Sequence, residues 1–244
     1  MVKKALLVPS ILLFILLIPF TLGASEENIK LDKANIDLTD QASLQRGAKL
    51  FMNYCSGCHS LRMVRYEGMA QDVGIVDAKG QVLEKIVKDN LIFGDQKISD
   101  PILAVMPKAD ATNWFGVPPP DLSLVSRSRG VDWLYSYLRS FYQDATKPWG
   151  VNNLVFPDAA MPHVLLSLQG LQVRVNDHLE LKIPGSLTTQ EYDMAVRDLV
   201  NFLALMGEPT QLKRERLGVW VLLFLGIFCL FAWLLKREYW KDVH

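Results

Sequence analysis

Residues 53–61, NYCSGCHSL, have residue types and a spacing that suit chemistry at a protein site. Cys55 and Cys58 are separated by two small residues, and His59 follows the second cysteine directly. Three kinds of site use paired cysteines: a structural zinc site, a redox-active dithiol and a covalently attached haem. The surrounding sequence decides among them.

The sequence favours the covalent haem. A zinc site needs four ligands, and the third cysteine, Cys229, lies in a distant apolar run where packing is its expected role. A thioredoxin-like dithiol follows a strand, whereas this pair follows a segment with helical periodicity. In a helical turn Cys55, Cys58 and His59 share one face, so two thiols can bond to haem vinyl groups while the imidazole reaches the iron. The motif therefore predicts one covalently bound haem c per chain.

An electron-transfer haem also needs a sixth iron ligand, and the residue pattern leaves several candidates open. The histidines are His163, His178 and His244, and the methionines in loops are Met106 and Met161, each in a Met-Pro dipeptide. Most methionines fill hydrophobic cores, but a thioether in a loop can be directed at a metal. Spacing alone does not choose between the two methionines, and it leaves His163 as a competitor.

The elements that must position these residues follow from hydrophobic periodicity. Apolar residues at helical spacing predict three helices, at 43–55, 133–141 and 188–206. The last of them starts at the capping box Thr188-x-x-Glu191. Alternating polarity around Asn176-Asp177 predicts a hairpin at 171–183. The proline-rich run VPPPDLS is expected to be extended, because each proline disfavours the helical conformation of the residue before it.

Both ends of the chain carry apolar runs. Residues 1–24 combine lysines, an apolar core and small residues near a cleavage point, which is typical of a secretory signal peptide; a retained membrane helix is the alternative. Residues 217–235 include no charged residue, and at 1.5 Å per residue such a helix spans about 28 Å, close to the thickness of the bilayer core. We therefore expect one transmembrane helix.

These runs predict a domain layout. We expect a signal peptide at 1–24, an exported domain at 25–212, a transmembrane anchor at 213–236 and a short cytoplasmic tail at 237–244. Basic residues flank the span equally, so the expected orientation rests on export of the N-terminal side. The whole chain has zero formal net charge, but residues 25–212 carry 18 Lys and Arg against 23 Asp and Glu, a formal charge of −5. An acidic exported domain would steer a basic partner towards it.

The order of motifs resembles one family. The haem motif is followed by PPPDLSLVSRSRG, then AAMPHVL, then an amphipathic helix and a single C-terminal apolar span. In this order they resemble the cytochrome c1 family, the haem subunits of cytochrome bc1 complexes, over about residues 44–240. The haem motif alone is common to c-type cytochromes, whereas PPDLS with Arg-x-Arg and a late Met-Pro is more specific. The resemblance implies a mainly α fold: a class I c-type cytochrome domain with inserted loops and a small hairpin, plus one C-terminal transmembrane helix.

The resemblance also implies roles for residues around the haem. Met161 becomes the sixth ligand, and Pro119 and Pro120 pack beside the haem. Arg129 is the expected partner of a haem propionate, because a guanidinium suits a carboxylate; Arg127 is the alternative.

Gly47 and Phe51 resemble the glycine and the aromatic residue by which the first helix of these cytochromes crosses the last one.

The implied function is electron transfer, with no enzyme activity of the chain on its own. The chain would accept an electron from a Rieske iron–sulfur protein and pass it to a soluble or anchored cytochrome c. Its partners would be cytochrome b and the Rieske protein in a dimeric complex of the bacterial inner membrane, with a periplasmic haem domain and a cytoplasmic C-terminus. Nucleic acid is not an expected partner. Two alternatives are a carrier subunit of a terminal oxidase and a haem enzyme or sensor with an open iron position.

Overall fold

The computed structural model of the protein describes residues 30–176 and 178–241. The expected signal peptide at 1–24, Asp177 in the hairpin turn and His244 lie outside the described residues. The helices found in the described part are α1 (Gln41–Tyr54), α2 (Tyr66–Asp72), α3 (Glu84–Leu91), α4 (Lys108–Phe115), α5 (Val125–Ser128), α6 (Val131–Arg139), α7 (Leu166–Gln169), α8 (Thr189–Gly207) and α9 (Gln211–Tyr239).

The strands are short and pair locally. They are β1 (Leu61–Arg65), β2 (Pro101–Ile102), β3 (Phe141–Gln143), β4 (Val151–Asn153), β5 (Gly170–Val175) and β6 (His178–Pro184). Each of the three sheets found within residues 30–176 and 178–241 has two antiparallel strands, in the pairs β1–β2, β3–β4 and β5–β6. The fold is therefore mainly helical with small sheets and one long apolar C-terminal helix, as expected for a c-type cytochrome with an anchor.

Local sequence signals account for the two helices that form the centre of the core. In α1 the Asp40 side chain accepts a hydrogen bond from the backbone N–H of Ser43, which satisfies a free donor at the helix start. In α8 the predicted capping box is confirmed: Thr188 and Glu191 each accept a hydrogen bond from the backbone N–H of the other. The buried face of α1 consists of Ser43, Leu44, Gly47, Ala48, Phe51 and Met52.

Helices α1 and α8 cross at Gly47. A Cβ atom at this position would lie 2.1 Å from the carbonyl oxygen of Asp198 and 2.7 Å from the Cβ of Phe202, so only glycine fits without displacing α8. The ring of Phe51, one turn later, lies 5.6 Å from that of Phe202. This is the crossing that the resemblance implied for Gly47 and Phe51.

A buried polar network fixes the same crossing. The Asp198 carboxylate is 3% exposed, and it accepts hydrogen bonds from Ser43 Oγ at 2.7 Å and from Arg46 Nε at 2.6 Å. Asn201 Nδ2 donates to Ser43 Oγ at 3.0 Å. A buried carboxylate is tolerated when it is paired and hydrogen-bonded in this way. The network therefore fixes the position of α1 along α8, in addition to the close approach at Gly47.

The close approach gives a first testable prediction. Gly47→Ala should lower the free energy of unfolding by about 1–3 kcal/mol, because the added methyl group overpacks against backbone that cannot move without shifting α8. The measurement is urea unfolding of the haem-loaded full chain in detergent, monitored by circular dichroism.

Gly68→Ala in α2 is the matched control. A Cβ at Gly68 meets no atom within 4 Å, so this substitution should be neutral or stabilise the protein by up to about 1 kcal/mol through helix propensity. Equal stability of the Gly47→Ala variant and the wild type would contradict the predicted overpacking.

The other sequence expectations need one adjustment. The helix expected at 133–141 begins earlier and ends at Arg139, because Phe141 is the first residue of β3 and pairs with Asn153. The expected hairpin at 171–183 is confirmed as β5 and β6. The run VPPPDLS has no helix or strand, as expected.

The C-terminal helix α9 is long and apolar enough to cross a membrane. It has 29 residues, and none of its most apolar stretch, of mean hydropathy 2.5, is buried against the rest of the chain. An acidic residue just before α9 links it to the domain: Glu208 is paired with Arg127 and accepts a hydrogen bond from Arg214 Nε at 2.6 Å. The start of α9 is therefore tied to the segment that contains α5.

Candidate functional site

The domain contains a cavity of about 320 Å³ with mainly apolar walls. Its walls come from the end of α1, the segment 117–122, α5, α6, the loop before α7, and α8. The site residues expected from the sequence all line this cavity: Cys55, Cys58, His59, Pro119, Pro120, Arg129 and Met161. Residues more than a hundred positions apart are thus brought to one place.

The cysteine pair lies in a turn that continues α1. The backbone N–H groups of Cys58 and His59 both donate to the carbonyl oxygen of Cys55, at 3.1 and 2.8 Å. Cys55 is buried and Cys58 is half-buried, and both thiols are free. Burial raises the pKa of the Cys55 thiol to about 12 and also raises that of Cys58. The helical turn therefore presents both thiols and the imidazole to the cavity, as the spacing predicted.

The orientation of His59 is set by the proline-rich segment. Its Nδ1 lies 2.8 Å from the carbonyl oxygen of Pro120, and a protonated Nδ1 donates to that oxygen. The other ring nitrogen, Nε2, then keeps its lone pair, which is the form in which imidazole binds a metal. Burial lowers the pKa of His59, which favours the neutral ring.

The proline-rich segment is held against the end of the haem motif by three hydrogen bonds. The N–H of Leu122 donates to the carbonyl oxygen of Ser60 at 2.9 Å. The N–H of Arg62 donates to Asp121 Oδ2 at 2.9 Å, and that of Met63 donates to Ser123 Oγ at 3.1 Å. One backbone N–H and two side chains of the extended segment therefore hold it alongside the residues that follow the haem motif.

The structure separates the candidates for the sixth ligand. Met161 lines the cavity, whereas the Met106 side chain is not among its lining residues; the Met106 backbone N–H donates to Gly57 at 3.1 Å. His163 is also absent from the lining, and its ring stacks on Phe141 with centroids 4.9 Å apart. Burial lowers the pKa of His163 to about 4. Of these three, Met161 alone lines the cavity.

Two further histidines were candidates. His178 lies on the exposed hairpin, where its Nε2 is 3.1 Å from Glu180 Oε1, and it is not among the cavity residues. His244 lies outside the described residues.

The two arginines have different environments. Arg129 lines the cavity, and its guanidinium carbon lies 5.1 Å from the ring centre of Trp133 and 5.7 Å from that of Phe156. Arg127 is paired with Glu208 and is not a lining residue. Cation–π contacts on two sides hold the Arg129 head group at the cavity wall.

Sequence reasoning missed the aromatic residues of α6. Trp133 and Tyr137 both line the cavity, and their rings are stacked with centroids 4.9 Å apart. The Tyr137 hydroxyl donates to Met161 Sδ at 3.5 Å. Burial raises the pKa of Tyr137 to about 12, so the hydroxyl keeps its proton at neutral pH. Their spacing of four residues places them on one helix face, and this signal was available but could not indicate which partner the face contacts.

These residues suit a covalently attached haem c. The cavity wall holds two free thiols next to an imidazole, a thioether, mainly apolar surface and one guanidinium. Thiols can form the two thioether links, nitrogen and sulfur can bind iron, and a guanidinium can pair with a propionate.

Comparison with known proteins agrees with this chemistry. The family model described as Cytochrome C1 family matches residues 33–243. The chain is 53% identical to cytochrome c1 of Allochromatium vinosum, over 95% of this chain and 97% of that protein. It is 47% identical to a Nitrosomonas europaea protein named ammonia monooxygenase gamma subunit, over 96% and 97% of the two chains. It is 28% identical to cytochrome c1 of Rhodospirillum rubrum, over 84% of this chain and 83% of that protein.

The family model covers nearly all of the described residues, and the Allochromatium relative matches almost the full length at high identity. The apolar helix α9 agrees with a membrane-anchored protein. We conclude from the cavity, its paired thiols and these matches that the chain belongs to the cytochrome c1 family. Members of this family are the electron-transfer subunits of cytochrome bc1 complexes and carry covalent haem c.

Proposed function

We propose that the chain accepts one electron from a Rieske iron–sulfur protein and passes one electron to a soluble or anchored cytochrome c, within a quinol:cytochrome c oxidoreductase. The observation that carries this proposal is the presence of Cys55, Cys58, His59 and Met161 in the wall of one apolar cavity. Each transfer reduces one partner as it oxidises the other, and no bond in a substrate changes. The chain alone is therefore a carrier and not an enzyme.

Each of these four residues has a proposed task. Cys55 and Cys58 would hold the haem through thioether bonds, and His59 and Met161 would bind its iron. When bound, haem c supplies a one-electron redox couple, and histidine–methionine ligation raises its potential. Because the chain would supply two iron ligands, a haem enzyme or ligand sensor with an open iron position becomes the less favoured alternative.

Three further lining residues position this arrangement. The Pro120 carbonyl orients His59, and Pro119 and Pro120 pack beside the haem. Arg129 pairs with a propionate, and its stacking on Trp133 supports this role over the alternative Arg127, which is engaged by Glu208.

The layout of the chain in the membrane is also proposed. We infer a signal peptide at 1–24, an exported domain at 25–212, an anchor at 213–236 and a cytoplasmic tail at 237–244. The haem domain then lies in the periplasm of a bacterium, and the C-terminus lies in the cytoplasm. Cytochrome b and the Rieske protein are the proposed partners in a dimeric complex.

The proposed acceptor follows from charge. The exported residues 25–212 carry a formal charge of −5, and a field of this sign speeds the encounter with a basic cytochrome c. The effect is screened on the scale of the Debye length, about 10 Å at 0.1 M ionic strength.

Co-purification tests the proposal. The full chain, tagged at its C-terminus and isolated in mild detergent, should bring down a cytochrome b and a Rieske protein, identified by mass spectrometry. The purified complex should reduce a basic cytochrome c at a rate that falls steeply as ionic strength rises through about 0.1 M.

Other partners would overturn it. Recovery of a terminal oxidase core would favour the alternative carrier function. Recovery of the other subunits of an ammonia monooxygenase would favour the role that the name of the Nitrosomonas relative suggests. A salt-independent rate with the native acceptor would contradict steering by charge and favour apolar docking or a tethered acceptor.

A further inference from the structure

Tyr137 is held rigidly at the cavity wall. Its ring stacks on Trp133 with an angle of 8° between the planes, and meets Phe141 edge-on with centroids 5.2 Å apart. Its backbone carbonyl accepts hydrogen bonds from Asn153 Nδ2 at 2.8 Å and from Ser140 Oγ at 3.3 Å. The ring cannot rotate away without breaking two aromatic contacts, so the direction of the hydroxyl is fixed.

That hydroxyl reaches the sulfur of the Met161 loop. The Tyr137 oxygen lies 3.5 Å from Met161 Sδ, within the range of an O–H···S hydrogen bond. A thioether sulfur is a weak acceptor with two lone pairs, so one pair can accept this hydrogen bond and leave the other for a metal. The same sulfur can therefore serve a metal and the hydroxyl together.

The buried hydroxyl of Tyr137 needs a hydrogen-bond partner. The cavity wall around it is mainly apolar, and Tyr137 is 9% exposed. Burying a hydroxyl without a hydrogen-bond partner costs about 1–3 kcal/mol. If the Tyr137 oxygen made no hydrogen bond, phenylalanine would fill the same aromatic stack without this cost. The Met161 sulfur is the partner that this hydroxyl finds.

We propose that Tyr137 is a positioning residue for Met161: its hydroxyl holds the thioether sulfur and withdraws electron density from it, which raises the reduction potential of the bound haem. The proposal rests on the proposed role of Met161 as an iron ligand. Its physical basis is that a sulfur that already accepts a hydrogen bond is a poorer electron-pair donor to ferric iron. Groups that hydrogen-bond to metal ligands tune metal sites in this way.

The test is Tyr137→Phe in the haem-loaded full chain. This variant keeps the ring and both aromatic contacts and removes only the hydroxyl. We expect the equilibrium constant for reduction to fall about threefold to tenfold, where tenfold corresponds to about 59 mV for one electron. The measurements are a redox titration and the position of the long-wavelength sulfur-to-iron charge-transfer band in the oxidised protein.

Tyr135→Phe is the matched control. Tyr135 is a buried tyrosine of the same helix, faces Arg139 at 4.5 Å and is not a cavity residue. Its substitution removes the same atom and should leave the potential and the band unchanged. A Tyr137→Phe variant indistinguishable from Tyr135→Phe would overturn the proposal.

A double variant separates this inference from the assignment of Met161. If Tyr137 acts through the sulfur, Tyr137→Phe should cause no further fall in potential when Met161 is already leucine. The same fall in both backgrounds would show that Tyr137 acts by another route, and would overturn the positioning role. If Met161→Leu itself leaves the charge-transfer band intact, the ligand assignment is wrong, and this outcome is distinct from the first two.

Discussion

The double variant Cys55→Ser, Cys58→Ser is expected to contain no covalently attached haem. Serine hydroxyls do not add to haem vinyl groups as thiolates do, so neither thioether bond can form, although the turn that presents both side chains is unchanged. The measurement is haem staining after denaturing electrophoresis, together with the haem content of the purified chain. We expect complete loss of the stain.

Cys229→Ser is the matched control for this experiment. Cys229 lies in α9, remote in sequence from the haem motif, and its replacement should leave the stain at the level of the wild type. Each single replacement at Cys55 or Cys58 should retain part of the haem, because one thioether bond remains. Full retention of haem by the double variant would end the thioether interpretation.

The second large effect is expected for Met161→Leu. Leucine has a similar volume but no sulfur, so the variant should lose the charge-transfer band of the oxidised protein and bind carbon monoxide in the reduced state. Its equilibrium constant for reduction should fall by more than about tenfold, about 59 mV for one electron, because the thioether favours ferrous iron. Absorption spectra and a redox titration provide the measurements.

Met106→Leu is the control for the second variant. Both methionines precede a proline, but the Met106 side chain does not line the cavity, so this variant should keep the band and exclude carbon monoxide. If Met106→Leu removes the band while Met161→Leu preserves it, the assignment of the ligand loop is wrong. Absence of the band from the wild type would instead favour His163, because an imidazole ligand gives no sulfur-to-iron transition.

The parts of the fold that could be predicted from the sequence carry local signals. The capping box at Thr188 and the apolar stripe after it define α8 within a single segment. The turn of the haem motif is equally local, since Cys55 accepts the backbone hydrogen bonds that close it. For such segments the neighbouring residues are sufficient, and prediction and structure agree.

The choice of a sixth ligand depends on long-range packing, and the residues alone left it open. Met106 and Met161 have the same local context, and nothing in their neighbourhood reveals which side chain meets the cavity. The resemblance selected Met161, and the structure places it in the wall where His59 also lies. The contact between Tyr137 and Met161 was missed for the same reason. It joins α6 to a loop that only tertiary packing brings near.

The end of α6 shows how a distant partner overrides periodicity. Apolar spacing extends through Phe141, so the pattern alone continues the helix to that residue. The structure ends it at Arg139, because Phe141 is paired with Asn153 in β3–β4. A strand partner twelve residues away along the chain cannot be read from a window of helical spacing.

The crossing of α1 and α8 has a consequence for the order of events during biosynthesis. Ser43 and Asp198, which are hydrogen-bonded across it, lie 155 positions apart, so this contact closes a very long loop and forms late in folding. Chains are synthesised from the N-terminus, so the cysteine pair exists well before α8 does. In that interval the cavity lacks Leu199 and Leu203 of α8 from its wall, whereas in the finished domain the wall is complete and Cys55 is buried. The order of these segments along the chain thus favours attachment of the haem before α8 closes the cavity.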